Sequence, residues 1–192
     1  MKVNGTSSDK VFLNLGPAHP AMHGIVRMVL EIEGETVLEV KMEIGYLHRA
    51  FEKDCEKSNW TQVFPYTDRL NYVSPYINNF GYAASIEKLI GIQIPERAEY
   101  IRVLMSEISR ITDHLTCVGA TAMELGAMTP FLYFMKVREL LYQLSEMVSG
   151  ARVTVSYGRI GGVKADLPVG FDKSCREIFP QIRKAVTDVH KL

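Results

Sequence analysis

Residues 15–27 read LGPAHPAMHGIVR, with two prolines, two glycines and two histidines set between runs rich in Val, Leu and Ile. Proline fixes its own φ and pushes the preceding residue towards extended backbone, so Pro17 and Pro20 restrict the chain on both sides of His19. Gly24 permits the turn into the next strand. A flexible linker has no need of two prolines, and the stretch reads as a stiff loop that presents His23, and with it His19, at a fixed point. Histidine is the side chain whose charge switches most readily near neutral pH. The plainer use of the same residues is a tight strand connection whose histidines cap backbone groups.

Working outward, residues 11–15, 25–32 and 36–44 read as strands, the last two joined through Glu33-Gly34-Glu35 as a hairpin. Val37, Glu39, Lys41 and Glu43 alternate with Leu38, Val40, Met42 and Ile44, which predicts a sheet with one wet face. The apolar face calls for a cover, and the helices that follow are the candidates. The spacing predicts an α+β fold: a small N-terminal antiparallel sheet with the histidine loop over residues 1–48, then an α-helical bundle region over 49–192.

Within that second region, residues 49–58 read as a short helix and 60–66 as a loop or helix entry. Ser74-Pro75 opens a helix running to Leu89, or Pro75 kinks a longer helix that starts near Thr67; Gly91 ends it either way. Pro95 opens a helix to about Gly126, roughly 45 Å long. Ile101, Leu104, Ile108, Ile111, Leu115, Val118 and Ala122 give it a core face. Glu107, Arg110, His114, Cys117, Thr121 and Glu124 give it a polar ridge, either a solvated face with ion pairs or a row that aims Glu124 at a cavity.

Thr129-Pro130 restarts a helix that Gly150 terminates, with Phe131, Tyr133, Phe134, Leu140, Leu141, Leu144 and Met147 as core. Residues 152–159 are β-branched and then loop-like, and 171–190 form a final amphipathic helix with Ile178, Ile182, Ala185, Val186 and Val189 on its apolar side. His114 reads as a satisfied interior histidine, and His19 and His48 as structural.

Composition excludes several classes. Twenty-two basic residues balance twenty-two acidic ones in 192, so no broad electrostatic footprint for nucleic acid is present. No apolar run approaches a membrane span, and the N-terminal MKVNGTSSDK lacks a leader pattern, which predicts a soluble, cytoplasmic chain. Cys55, Cys117 and Cys175 are odd in number and far apart, predicting free thiols and no metal site. No GxGxxG follows a strand, so a nicotinamide nucleotide would bind elsewhere.

The loop GPAHPAMHG followed by IVR resembles the opening loop of the quinone-site subunit of proton-pumping NADH:quinone oxidoreductase, respiratory complex I, the 49-kDa or D-subunit family. The resemblance continues through GYLHRAFEK (45–53), PYTDRLNY (65–72), residues 86–115, ELGAMTPF (124–131) and RIGGVKADLP (159–168), in family order. It covers the N-terminal half of the family protein. The family fold is similar to that of the nickel-iron hydrogenase large subunit.

The resemblance implies the site. His23 and Tyr72 match the pair that bonds the quinone headgroup, and Glu124 matches the acidic partner of that histidine, where the family more often has aspartate. Arg69 and Arg49 match positions near the terminal iron-sulfur cluster of a partner subunit, and a positive charge there raises a cluster's potential. Thr154 stands where many members have a histidine bonded to that cluster.

This chain would bind no metal. Quinone would be its substrate, and NADH would bind another subunit. Partners would be the iron-sulfur subunit, other peripheral-arm subunits and membrane-arm subunits, on the cytoplasmic side of the inner membrane. Activity would require the whole complex. Two other readings share these residues: a non-catalytic assembly scaffold, and a membrane-bound hydrogenase relative. The hydrogenase reading needs paired cysteines, and PYTDRLNYVS has none.

Overall fold

The computed structural model describes residues 10–20 and 22–192. The polar N-terminal stretch and Ala21 of the histidine loop lie outside the described residues. The chain divides into two compact units at Asp54/Cys55.

The N-terminal unit is built on three antiparallel strands in the order β1 (Lys10–Leu15), β2 (Arg27–Glu33) and β3 (Thr36–Glu43). Leu13, Leu30 and Val40 stand in register, as do Leu15, Met28 and Met42. Their side chains share a face because partners in register point the same way.

The alternation expected along β3 is reset by a bulge: Glu31 pairs with Glu39 while Ile32 pairs with Val37, leaving Leu38 as the extra residue. Val37 therefore joins Val11 and Ile32 on the apolar face instead of standing with the glutamates. Val40 and Met42 on that face are 47% and 53% exposed.

On the polar face Arg27 reaches both neighbouring strands. It donates to Asn14 Oδ1 at 2.9 Å and to Glu43 Oε2 at 2.9 Å. One guanidinium thus ties all three strands at the end that carries the histidine loop. A short helix, α1 (Phe51–Lys57), then spans the junction.

The second unit opens with α2 (Trp60–Thr67), where a loop or helix entry was the expectation. A capping box starts it: Gln62 N–H donates to Asn59 Oδ1 at 2.9 Å and Asn59 N–H to Gln62 Oε1 at 3.1 Å. Helix α3 (Pro75–Ile90) is separate, so of the two expectations the helix opened at Ser74-Pro75 is formed and the longer one from Thr67 is not. Pro75 has no N–H to continue a helix from the preceding turn, and its fixed φ suits the first helical position. Asparagines build the intervening turn: Asn71 Nδ2 donates to Ser74 Oγ at 2.7 Å, and Asn78 Nδ2 to Asn71 O at 3.2 Å. Gly91, at φ 72°, ends α3.

Helix α4 (Glu96–Glu124) buries Ala98, Ile101, Met105, Ile108, Leu115 and Gly119. Val118 is 55% exposed. The buried stripe is therefore rotated from the predicted one and takes in Arg102, Ser109 and Thr112. Most of the polar ridge faces solvent, and His114 is exposed with it, contrary to the interior role expected of it.

Helix α5 (Met128–Ser149) packs along α4 and stops at Gly150, φ 79°. Its Phe134, Leu141 and Leu144 are core, whereas Tyr133 and Met147 are exposed. A two-residue hairpin, β4 (Gly158–Arg159) with β5 (Gly162–Val163), follows. Helix α6 (Phe171–His190) buries Ile178, Ile182 and Ala185, but Val186 is exposed.

Candidate functional site

His23 stands exposed in the loop between β1 and β2. Met22 N–H donates to His19 O at 3.0 Å, closing a turn just before it, and Gly24 follows at φ 94°. The loop is seated by Gly16, where a Cβ would come within 2.2 Å of Val26 O. Only glycine allows that approach. Arg49 is exposed in the same unit, between His48 and Ala50, where Ala50 N–H donates to His48 Nδ1 at 3.2 Å and Ala50 takes φ 54°.

Arg69, Tyr72 and Glu124 belong to the helical unit. Arg69 Nη1 donates to Pro65 O at 2.6 Å, capping the last turn of α2 while its guanidinium remains exposed. Tyr72, 62% exposed, sits on the turn between α2 and α3. It shares a narrow cleft of about 10 Å³ with Ser109 and Thr112 of α4. Glu124 is the last residue of the same helix, twelve positions beyond Thr112 and so about 18 Å along the axis. Arg69 and Tyr72 are thus brought onto one turn, while Glu124 lies at the far end of α4.

Beneath that turn is a polar network that the sequence reading missed. Asp68 caps the C-terminus of α2 and is 1% exposed. Its carboxylate accepts from Ser156 N–H at 2.8 Å and from Asn79 Nδ2 at 2.5 Å. Asn79, itself fully buried, accepts at Oδ1 from Tyr157 N–H at 2.9 Å and Gly158 N–H at 3.2 Å, and its amide also donates to Thr67 Oγ1 at 2.9 Å. Burial pushes the Asp68 carboxyl above the usual carboxylate range, against the opposing pull of the Ser156 and Asn79 hydrogen bonds. Tyr157 is sealed into the core, where burial pushes its phenol up to about 12. The available signal was TDRLNY itself, where an aspartate precedes the arginine already singled out.

A second buried element is the Arg102–Glu87 pair, with two nitrogen-oxygen contacts at 2.8 and 2.6 Å. Arg102 also donates to the carbonyls of Gly162 and Arg159, each at 2.9 Å, fixing the small hairpin to α4. Arg102, held beside Glu87, keeps that carboxyl below the usual range. Among the described residues no group of three or more His, Cys, Asp or Glu side chains is placed to hold a metal ion, and no helix is long and apolar enough to cross a membrane.

Comparison with known proteins agrees with the motifs. Residues 124–192 match the family described as respiratory-chain NADH dehydrogenase, 49 Kd subunit. The chain is 50% identical over 185 residues to the NADH-quinone oxidoreductase D subunit, form 1, of Sorangium cellulosum, covering 96% of this chain and 46% of that protein. It is 56% identical over 162 residues to the D subunit of Myxococcus xanthus, covering 84% of this chain and 39% of that protein. To the D subunit, form 2, of Anaeromyxobacter sp. it is 52% identical over 186 residues, covering 97% and 43%. The chain spans slightly less than half the length of these relatives, and over that span it belongs to the 49-kDa, or D-subunit, family of NADH-quinone oxidoreductase, respiratory complex I.

Proposed function

We propose that this chain contributes quinone-headgroup contacts within a proton-translocating NADH-quinone oxidoreductase, and that it is active only in the assembled complex. Reducing a quinone takes two electrons and two protons, so the protein's part is to bind the ring, orient it and supply protons at its two oxygens. His23 on the stiff loop and Tyr72 on the α2–α3 turn serve as donors. Glu124 serves as the acidic partner of the histidine.

Electrons would come from an iron-sulfur cluster held by a partner subunit, with Arg69 and Arg49 supplying positive charge near it. NADH would bind a further subunit. Other peripheral-arm subunits and membrane-arm subunits complete the partner set, at the cytoplasmic side of the inner membrane. The division into residues 1–48 and 49–192, and the likeness of the helical part to the hydrogenase large-subunit fold, belong to the same proposal.

The observation that carries this reading is the placement of Tyr72. Tyr72 is 62% exposed, on a turn whose base is among the most deeply buried parts of the unit. A tyrosine held outward on a fixed support is suited to meeting a ligand. The test uses membranes carrying the complete complex, with His23→Ala and Tyr72→Phe compared at matched assembly. Both variants are expected to lose quinone reduction while reduction of a hydrophilic acceptor by the upstream centres survives. Wild-type quinone rates in both would favour the scaffold reading instead.

A further inference from the structure

We propose that Asp68 is a positioning residue for quinone reduction, acting through the turn that carries Arg69 and Tyr72. The inference rests on the reading of Tyr72 given above. Its basis is a juxtaposition of two segments far apart in sequence, residues 68–72 and 156–158, across one buried carboxylate.

Asp68 accepts on both oxygens. Ser156 N–H reaches Oδ2, and Asn79 Nδ2 reaches Oδ1. Asn79 in turn spends its own carbonyl oxygen on Tyr157 and Gly158, leaving its amide group only the roles of donor to Asp68 and to Thr67. Every member of the set therefore has one workable polarity, and only a double acceptor fits at position 68. Ser156 takes φ 39°, a left-handed conformation that L side chains other than Asn and Asp rarely adopt. The hydrogen bond from its N–H to Asp68 offsets that strain.

Packing locks the same segment from its other side. Gly158 lies so close to α2 and α3 that a Cβ there would approach Asn79 Cβ at 3.1 Å and Phe64 at 3.2 Å. Asp68 is the last point at which α2, α3 and the 156–158 segment are joined before the chain emerges as Arg69 and Tyr72. A carboxylate buried to 1% exposure has no direct ion-pair partner among the described residues, so its retention costs solvation that its role in geometry must offset. Moving this anchor by an ångström moves the tyrosine that follows it.

The test is Asp68→Asn in the assembled complex. Asparagine is isosteric, but its amide can satisfy only one of the two donors, so a pair of N–H groups is left facing each other. With decylubiquinone as the probe, KM is expected to rise about three- to tenfold, kcat to stay within about twofold, and hydrophilic-acceptor reduction to be unchanged. An unaltered KM per assembled complex, with only the amount of complex reduced, would overturn the proposal. Should Asp68→Asn fail to assemble, the double variant Asp68→Asn/Ser156→Gly removes the φ strain and allows the same kinetics. Tyr72→Phe measured in parallel separates the two ideas: if it is impaired while Asp68→Asn is not, the positioning role alone fails. If Tyr72→Phe behaves as wild type, the reading of the turn as a quinone contact fails.

Discussion

The carboxylate of Glu87 receives both terminal nitrogens of Arg102, with the two side chains 8% and 9% exposed. The pair joins α3 to α4, and Gly161 N–H adds a further bond to Glu87 Oε1 at 2.8 Å. Removing one member leaves the other charged and buried. Glu87→Ala or Arg102→Ala is expected to lower stability by about 3–5 kcal/mol, read from denaturant unfolding of the chain. A loss below about 1 kcal/mol would mean that water reaches the pair.

The acid limb of stability carries two opposite signs. Glu87 has a folded-state pKa below its unfolded value, so its contribution is present above the unfolded pKa and is lost as pH falls through the folded one. Burial raises the folded-state pKa of Asp68 above its unfolded value even though the ionised form is the one that accepts from both Ser156 and Asn79, so keeping it charged costs solvation and its net contribution falls as pH rises through the folded value. Glu87→Gln should therefore flatten the loss of stability below about pH 4.5, near the ordinary carboxylate value. Asp68→Asn should steepen it. Thermal melts of the two variants across pH 3 to 7 check both directions.

Gly16 and Gly24 flank the same loop but differ in what surrounds them. Alanine at 16 would clash with the Val26 carbonyl and adopt φ 87°, whereas at 24 no atom lies within 4 Å. Gly16→Ala should cost clearly more than the roughly 1 kcal/mol expected from backbone conformation alone at Gly24. Amide exchange in β1 and β2 is the readout, with the larger acceleration expected for the first variant.

Two substitutions mark the extent of the core. Leu144 is fully buried, so Leu144→Ala should cost about 2–5 kcal/mol. Val40 lies on the exposed sheet face, and Val40→Thr should stay within about 0.5 kcal/mol in the chain alone. Unfolding midpoints compare them directly.

What the sequence made readable was mostly local. The bounds of α6 at Phe171 and His190, and the stops at Gly91 and Gly150, follow from punctuation and amphipathic spacing that each segment carries within itself. What escaped was set by distant partners. Arg102 looks like a surface residue until Glu87 and the carbonyls of Arg159 and Gly162 are placed around it. Asn79 and Asp68 are likewise polar residues whose burial is settled by backbone donors at Ser156, Tyr157 and Gly158. The rotation of the α4 stripe has the same origin: admitting Arg102, Ser109 and Thr112 to the interior turns Val118 and His114 outward. The bulge at Leu38 reset β3 in a way that alternation alone does not announce.

The most direct measurement of the central claim is photo-crosslinking of an azido-quinone in membranes holding the complete complex, followed by mapping of the labelled peptides. Label is predicted in the peptide carrying Tyr72 and in the loop carrying His23, and excess unlabelled quinone should displace it. Label confined to other subunits, or label in these peptides that excess quinone does not displace, would contradict a quinone-contact role for this chain.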